Sequence, residues 1–540
     1  MAERILSGLG LGMRAYFRAP AYFYLLAFWE WIARGSLLAP RLFQAVLDAV
    51  SCALASVFAY RLTKKLWAGS ISGLILSCYW LNVYFSGELL ITTCACFFNL
   101  LALYFLTFYV DENWKKSACA GALVGIASLF RPNILLFALA VVFYWILKKR
   151  AKSAIAFLVL IILFIMPVFL RNLIVAKDPL PLASQAGINF WIGNNRDADG
   201  RCVILPLYRR NLDGKFLARV GDDPWSDEIV WLVALYIAEK NTGRELKESE
   251  VNAYWVRQSL KEIFQNPSAW IKLFLKKVYY LLNKKEVSNN RDIEYHAEKI
   301  SILRILAHFH LGLFLPIGLL GFFIGFSNKK LRYLQLYFVF YGLSVVLFFV
   351  ISRYRMPLIF ALAIFAGVGI ERVFGYIWQR NWGKVGACMF ILLVFFWLAN
   401  VQLVDWNDRP LRSALRYNLG LAYLKKGNYD QAIFELKQAI KIKRKYPEAH
   451  LALANAYALK KDYAFAVYYY ELALSYDPNY AEAHYNYGLT LLAMNKPDRA
   501  YEHLLQAHLL KPEIFPAPEE VLKKLLERKV KSKPAQTPQP

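Results

Sequence analysis

Long apolar runs separated by short polar connections dominate the first three quarters of the chain. A helix needs about 20 residues to cross the hydrocarbon of a bilayer, and runs near this length recur as far as residue 402. We predict ten membrane-spanning helices, at 42–61, 66–84, 88–110, 117–130, 133–148, 153–171, 302–325, 333–352, 357–375 and 384–402. The run at 117–130 is the shortest, and a tilted or partly re-entrant helix is the alternative there.

A different pattern begins at residue 413, where the chain repeats with a period of 34 residues. The three copies open with SALRYNLG, PEAHLALA and AEAHYNYG, and each places small residues beside large apolar ones at matching positions. This pattern is typical of tetratricopeptide repeats, in which three helix pairs bury a continuous core. We predict that the run EEVLKKLLERKV then forms an amphipathic capping helix and that the final residues form a disordered tail.

A long segment, 172–301, separates the sixth and seventh predicted spans. Its stretches AYWVRQSLKEIFQ and PSAWIKLFLKKVYYLL carry apolar residues at helical spacing, which predicts two amphipathic helices. The second helix has lysines beside aromatic residues, so it can lie in the lipid headgroup layer. Packing on the protein's own membrane domain is the alternative, and the sequence leaves both open.

Basic residues are concentrated in every second connection between spans, near 61–65, 115–116, 148–152, 329–332 and 380–384. Cytoplasmic loops of membrane proteins carry such an excess of lysine and arginine. The segment 172–301 and everything after residue 402 are therefore predicted to be extracytoplasmic. This distribution accounts for the net charge of +26, and we expect no nucleic-acid partner.

The composition supports a membrane protein, since 58% of the 540 residues are hydrophobic, more than one soluble core can bury. Six of the seven cysteines lie in predicted helices and Cys202 lies in a loop, without disulfide or metal-ligand spacing. His308 and His310 fall on different helix faces, and His450 and His484 share one repeat position, so we interpret these histidines as structural. No cofactor is identified, and dependence on a divalent metal stays open.

These patterns predict an all-α protein built as a polytopic transmembrane helical bundle with an extracytoplasmic loop domain and a C-terminal α-solenoid. We expect residues 1–41 to be part of a first extracytoplasmic loop and residues 42–403 to be the membrane domain, including the large loop 172–301. The repeats are predicted over 411–513, followed by the capping helix and tail over 514–540.

Arginines at predicted outer helix ends are candidates for binding a phosphate. Arg353 and Arg355 stand just before Pro357 at a helix start, which favours anions, and their planar guanidinium groups match phosphate oxygens. Arg131 and Arg171 lie at two further outer helix ends. The alternative for all four is that they anchor helices to lipid headgroups.

The stretch PLASQAGINFWIGNNRDADG, residues 181–200, combines three glycines with several Asn and Asp residues amid aromatics. We predict an ordered turn, with Asn189, Asn194 and Asn195 as candidates to hold a polar ligand. Pinning of the loop to the membrane domain is the alternative.

The longer stretch RNLIVAKDPLPLASQAGINFWIGNNRDADG resembles the segment after the sixth or seventh helix of bacterial protein O-mannosyltransferase-like membrane glycosyltransferases, of the GT-C fold class. FRAPAYFYLLAF, GIASLFRPNILLF, NKKEVSNNRDIEYH and SRYRMPLIFALAIFAG are similar to other segments of this family, and the resemblance covers about residues 1–403. Members of the class also carry repeat arrays after the last helix.

The resemblance implies transfer of a sugar from a polyprenyl-phosphate donor to an acceptor on the outer face of the bacterial inner membrane. The expected partners are that lipid-linked sugar, membrane lipids, and an acceptor or partner protein bound by the tetratricopeptide repeats. The phosphate would be held by Arg353, Arg355, Arg131 and Arg171.

In the resembled family, an aspartate shortly after the first helix acts as the catalytic base, and MAERILSG aligns just downstream of that aspartate. The basic loop after 42–61 is predicted to be cytoplasmic, which also requires residues 1–41 to lie on the extracytoplasmic side of the membrane. We therefore expect a helix and the aspartate upstream of Met1; insertion of PAYFYLLAFWEWIARG as a short helix is the alternative. The residual acidic candidates are Glu3 and Glu88, the latter otherwise expected to cap a helix.

The main hypothesis is a membrane glycosyltransferase whose activity in the given form depends on the missing base. The alternative is a non-catalytic, membrane-anchored repeat scaffold for envelope or glycan assembly. A transporter or flippase ranks last, because Asp48 is the one clear carboxylate within a predicted span.

Overall fold

The computed structural model describes residues 2–8, 11–110, 113–201, 212–221, 228–288, 293, 296–297, 300–404 and 409–523. Within these residues all regular elements are helices, which confirms the all-α fold class. The predicted capping helix begins at residue 518. Its remainder, the predicted tail and Cys202 lie outside the described residues.

The chain forms two compact units, each discontinuous in sequence. The first comprises Met1–Pro206, Asp223–Asn289 and Ile293–Leu403. The second comprises Leu207–Asp222, Asn290–Asp292 and Val404–Pro540. The predicted membrane and loop domains thus fall mainly in the first unit and the predicted repeats in the second.

The first unit is a bundle whose main helices coincide with the predicted spans. Two short helices precede these main helices, and the helices of the long loop come between the sixth and seventh predicted spans. Its helices before the loop are α1 (Ala2–Leu6), α2 (Ala21–Ile32), α3 (Leu38–Thr63), α4 (Leu66–Cys78), α5 (Trp80–Gly87), α6 (Thr92–Phe108), α7 (Trp114–Phe130), α8 (Ile134–Leu147) and α9 (Ala151–Val175). The loop contributes α10 (Gln185–Asn194), α12 (Ile229–Thr242), α13 (Glu248–Gln265) and α14 (Pro267–Leu282), while α11 (Gly214–Val220) falls in the second unit. After the loop come α15 (Ser301–Leu306), α16 (Leu311–Ile324), α17 (Arg332–Val346), α18 (Ser352–Trp378) and α19 (Trp382–Asn400).

Each predicted span contains a helix, but the helices differ in length. Among the described residues, α3, α9, α18 and α19 are long and apolar enough to cross a membrane, and α4 with α5 makes a fifth if the bent pair is counted as one span. The helices α6, α8 and α16 are apolar but shorter. The predicted span 302–325 differs most, because residues 307–310 separate α15 from α16.

The predicted span 66–84 is broken at Tyr79, where α4 and α5 meet at a 58° bend. The Asn82 amide donates to the Leu76 carbonyl at 3.4 Å and to the Asp48 carboxylate at 2.9 Å. A side chain that inserts into the helical hydrogen-bond ladder is a known cause of such a kink. The mid-span carboxylate Asp48 is therefore part of the structural support for this bend.

Small residues allow the helices of the bundle to approach closely. Gly121 of α7 lies against the backbone of α9, so that an added Cβ would come within 2.2 Å of the Phe157 carbonyl oxygen. Such small-residue contacts between helices are typical of membrane bundles, which lack a hydrophobic driving force between helices.

The two amphipathic helices predicted in the loop are confirmed as α13 and α14. One face of α14 packs inside the first unit, where Lys277 and Tyr280 are fully buried. Its other face exposes Ile271 and Leu275, with 53% and 60% of their surface accessible. Packing on the protein thus accounts for one face, and contact of the other with lipid headgroups stays a prediction.

Within the described part of the second unit, residues 409–510 form six helices in three antiparallel pairs, in agreement with the three predicted repeats. They are α20 (Arg409–Lys425), α21 (Tyr429–Ile442), α22 (Pro447–Leu459), α23 (Tyr463–Tyr476), α24 (Ala481–Ala493) and α25 (Pro497–Leu510). The alanines at equivalent positions of the second helix of each pair are fully buried, namely Ala432, Ala439, Ala466, Ala473, Ala500 and Ala507. These small residues bring the paired helices together, and large side chains such as Tyr470 and Leu504 fill the seam.

Candidate functional site

A cavity of about 710 Å³ lies in the first unit. Its lining comes from the start of α2, the turn between α5 and α6, the α7–α8 connection, residues 180–189, and the α17–α18 junction. Asn252 of α13 completes the wall. This volume suits a small ligand or part of a larger one.

One side of the cavity is cationic, because Arg18, Arg131 and Arg353 all line it. Arg131 donates to the backbone carbonyl of Arg353 at 2.7 Å, and its guanidinium lies 4.8 Å from the centre of the Tyr354 ring. The Arg353 guanidinium lies 5.3 Å from the same ring. Arg131 and Arg353 are therefore held close together, Arg18 lines the same cavity, and no carboxylate is among the described lining residues.

In two of these arginines, one buried side-chain nitrogen lacks a hydrogen-bond partner among the described residues. The Nε atoms of Arg18 and Arg353 are buried, and neither has a hydrogen-bond partner among the described residues. A buried donor without an acceptor costs free energy comparable to a lost hydrogen bond. An anion entering the cavity would remove this penalty.

Arg18 also forms an ion pair with Glu228, with Arg18 Nη2 and a carboxylate oxygen 2.7 Å apart. Both side chains are about 30% exposed (31% and 29%). A pair this open to solvent contributes little to stability. An incoming anion can therefore compete with Glu228 for Arg18 at small energetic cost.

The rest of the lining is mostly apolar with a few neutral polar groups. The apolar part includes Phe23 and Leu26 of α2 and Leu89, Leu90 and Ile91 from the α5–α6 turn. The neutral polar groups include the side chains of Asn133, Gln185, Asn189, Asn252 and Ser344. A site with a cationic end, uncharged hydrogen-bonding groups and an apolar wall matches a ligand with the same three parts.

Arg131 and Arg353, two of the four arginines predicted to bind phosphate, lie in this cavity, whereas Arg355 is directed elsewhere. Residues two apart on a helix point about 200° apart, so Arg353 and Arg355 occupy opposite faces of the first turn of α18. Arg355 is almost fully buried, pairs with Glu286, and donates to the carbonyls of Tyr280, Leu281 and Asn283.

Glu286 joins three elements through this ion pair. It accepts hydrogen bonds from the Tyr79 hydroxyl at 2.7 Å, from the Ser352 hydroxyl at 2.7 Å and from Arg355. Tyr79 stands at the α4–α5 bend and Ser352 is next to Arg353. The buried carboxylate thus fixes the helix start that carries the cationic wall.

Arg171, the fourth predicted arginine, holds the N-terminal segment. It donates to the backbone carbonyls of Gly12 and Arg14, and its guanidinium lies 4.4 Å from the Tyr16 ring centre. Sequence reasoning missed Arg18 in favour of Arg171. The available signal was its place in FRAPAYFYLLAF, two residues before Pro20 at a helix start.

The three candidate asparagines have different surroundings. Asn189 lines the cavity. Asn194 is buried, and its Oδ1 accepts from Trp270 Nε1 and Lys277 Nζ, both at 2.9 Å. Asn195 stabilises the following turn, accepting from the Asp197 amide at 2.8 Å. Half of the stretch predicted as a turn is the helix α10, whose N-terminal part reaches the cavity.

Lys277 of α14 stabilises the end of α10, because its Nζ donates the hydrogen bond to Asn194 Oδ1. Its ammonium group is fully buried, and burial lowers the pKa of Lys277 from 10.5 to about 7. Desolvation disfavours the charged form of a lysine, so the folded protein releases this proton at a lower pH than the unfolded chain does.

Replacement of Lys277 by methionine is expected to flatten the pH dependence of stability above neutrality. Between about pH 7 and the ordinary lysine pKa, the unfolded chain holds a proton that the folded chain lacks, so stability rises with pH by at most about 1.4 kcal/mol per unit. Thermal unfolding of the detergent-solubilised protein between pH 7 and pH 9 measures this rise. Lys272 is exposed, so the Lys272→Met variant should show the same rise in stability with pH as the wild type. An equal rise in Lys277→Met would contradict the prediction.

The two acidic candidates lie outside the lining. Glu3 is exposed in α1. Glu88 directly precedes the lining residue Leu89, and its backbone carbonyl accepts from Gln44 Nε2 at 2.6 Å. Gln44 in turn accepts from the hydroxyl of Tyr22, a lining residue, at 2.6 Å. Glu88 is the C-cap residue of α5, whereas the N-cap residue of α6 is Ile91, so Glu88 does not form the expected cap at a helix N-terminus.

Among the described residues, no group of three or more His, Cys, Asp or Glu side chains is arranged to hold a metal ion. The charged and polar side chains of the described lining residues are arginines, amides and hydroxyls.

Comparison with known families agrees with both parts of this architecture. Residues 18–174 match the family described as dolichyl-phosphate-mannose-protein mannosyltransferase. Residues 420–461, 447–480 and 469–502 match tetratricopeptide repeat families. No curated protein is similar enough to the chain to count as a match. The family resemblance predicted from the sequence is thus confirmed, and it is that of a membrane glycosyltransferase.

Proposed function

We propose that this chain, a protein mannosyltransferase-type membrane glycosyltransferase with tetratricopeptide repeats, transfers a sugar from a polyprenyl-phosphate donor to an acceptor outside the cytoplasm. In this reaction an acceptor hydroxyl attacks the anomeric carbon and the bond to the phosphate breaks, so that polyprenyl phosphate leaves. The GT-C fold class and a position in the bacterial inner membrane, with the loop and repeats extracytoplasmic, belong to the same proposal.

The observation that carries the proposal is the match between the three parts of the cavity and the three parts of such a donor. Arg131, Arg353 and Arg18 suit the phosphate, since guanidinium groups bind its oxygens with strong charge-assisted bonds. The amides of Asn189 and Asn252 suit sugar hydroxyls. The apolar wall beside Leu90 suits the first isoprene units of the lipid.

Glu88 is the acidic candidate that directly precedes a lining residue, Leu89, and a base is needed to accept the proton of the attacking hydroxyl. Arg355 and Arg171 are assigned here to positioning, because both are committed to contacts within the protein.

The proposal is tested with the purified full chain in liposomes, supplied with a radiolabelled sugar on polyprenyl phosphate, on polyprenyl diphosphate or on a nucleotide. Solubilised bacterial envelope serves as the acceptor source. We expect label transfer, with release of polyprenyl phosphate, from the monophosphate donor alone. Transfer from the nucleotide sugar would contradict the proposal.

The repeats favour a second candidate, a non-catalytic scaffold, because three helix pairs present a surface suited to a partner protein. In the same experiment, the scaffold predicts no label transfer from any donor, while an envelope protein remains bound to the wild-type chain. The repeats also fit the enzyme, for which they would hold the acceptor protein.

A further inference from the structure

One cross-helix contact recurs in all three repeats with different residues. In the first repeat it is an ion pair, in which Arg416 Nη1 lies 2.7 Å from the Glu435 carboxylate. In the second repeat, 34 residues on, His450 stacks on Tyr469 with ring centres 6.0 Å apart. Each contact joins the two helices of its repeat, so the position is a link between paired helices.

In the third repeat the same position holds two histidines. The Nδ1 atoms of His484 and His503 are 3.0 Å apart, between α24 and α25. The other ring nitrogen of His484, Nε2, lies 2.9 Å from the Pro478 carbonyl oxygen and donates to it. A neutral His484 therefore presents the Nδ1 lone pair to His503.

We propose that His484 and His503 form a binding site for a divalent transition-metal ion, with Cu²⁺ the preferred ion, that links α24 to α25. Two nitrogens 3.0 Å apart subtend about 95° at a metal about 2.05 Å from each. This is close to the angle between adjacent ligands in the tetragonal geometry of Cu²⁺, which also binds nitrogen ligands most tightly among these ions. Water would fill the remaining positions.

The contact between His484 Nε2 and a backbone carbonyl is the outer support that metal-binding histidines use, because it fixes the ring and leaves the other nitrogen free to coordinate. Both histidines are partly exposed, so an ion can reach them from solvent. The site is independent of the proposed glycosyl transfer and adds a function to the repeat unit.

The charged groups beside the pair are compatible with a cation. Glu471 accepts from the Tyr487 hydroxyl at 2.8 Å and lies 3.7 Å from Arg499, so the arginine charge is balanced locally. The Nδ1 atom of His503 faces Nδ1 of His484 at 3.0 Å, so a neutral His503 can coordinate through this nitrogen.

The second repeat provides a control built into the chain. His450 Nε2 lies 3.1 Å from the Arg444 carbonyl, the same contact that His484 makes with Pro478. Its partner, however, is Tyr469 instead of a histidine. The variant His503→Tyr recreates this residue pair in the third repeat, so the fold has a precedent for it within the same protein.

The test measures Cu²⁺ affinity of the detergent-solubilised full chain by competition with a chromophoric chelator, together with electron paramagnetic resonance of the bound ion. We expect the wild-type spectrum to show two coordinated nitrogens. Loss of one of two linked ligands should weaken binding by about a hundredfold in both His503→Tyr and His484→Gln. The His450→Gln variant should bind as wild type does, and the unfolding temperature without metal should be unchanged in His503→Tyr.

Equal Cu²⁺ affinity in the wild type and in His503→Tyr would overturn the proposal, and the pair would then be a hydrogen-bonded link that shares one proton. A drop in affinity in His450→Gln as large as that in His484→Gln would overturn it too, because the ion would not be held by the pair. Zn²⁺ measured in parallel should bind more weakly than Cu²⁺.

Discussion

Replacement of Arg353 by glutamine is expected to lower transfer from a polyprenyl-phosphate-sugar donor by about 10²–10³-fold, the range typical when a charge-stabilising donor is removed from an active site. Arg353 brings to the cavity a positive charge and a buried Nε that has no hydrogen-bond partner among the described residues. Glutamine keeps a polar side chain of moderate size but has neither the charge nor the planar fork. Initial rates against donor concentration measure the change.

The division of the effect between KM and kcat identifies what Arg353 does. If it binds the phosphate equally in substrate and transition state, KM rises; if it mainly stabilises the departing phosphate, kcat falls. Arg353→Lys should recover part of the rate, because it restores charge without bidentate geometry. Arg131→Gln should show a loss of the same kind, since Arg131 contacts Arg353 and shares the wall.

Arg372→Gln is the matched control, because Arg372 lies further along the same helix α18 and its side chain is 52% exposed. It should leave both kinetic constants and donor binding unchanged. Wild-type rates in Arg353→Gln and Arg131→Gln would contradict the assignment of the cationic wall to the donor phosphate. Loss of rate in the Arg372 variant would point to a general effect on α18.

Replacement of Glu286 by leucine is expected to destabilise the first unit by about 3–5 kcal/mol, the usual result of removing one partner of a buried ion pair. The side chains of Glu286 and Arg355 are 4% and 3% exposed, so Arg355 would keep a buried charge without a counter-ion. The hydroxyls of Tyr79 and Ser352 would lose their acceptor as well. Thermal or denaturant unfolding in detergent measures the loss.

The double variant Glu286→Leu with Arg355→Met should recover much of this stability, because it removes both charges together. Glu371→Gln is a suitable control, since Glu371 lies 3.9 Å from the half-exposed Arg372 in a loose pair. Equal stability of the single Glu286 and double variants would show that the ion pair is not what holds the start of α18.

The sequence predicted the helices and the repeats well because both depend on local periodicity. The break at Tyr79 was not predictable, since no glycine or proline marks it and its support comes from Asp48 and Asn82, which only the fold brings together. Within the site, Arg131, Arg353 and Asn189 were found from helix ends and the asparagine-rich segment. The opposite orientations of Arg353 and Arg355 depend on which face of α18 meets its neighbours, and this is a property of the packed bundle.

The positions that line the cavity have a consequence for how the protein is made. The lining includes residues as far apart as Arg18 and Tyr354, and the wall is closed by the start of α18. Chains emerge from the ribosome from the N-terminus, and membrane helices pack as they become available. The cavity can therefore be completed only after residue 354 of 540 has been synthesised and inserted. A shorter nascent chain has Arg18 and Arg131 but lacks Arg353. The complete ligand-binding cavity is therefore formed in one step, late in the synthesis of the protein.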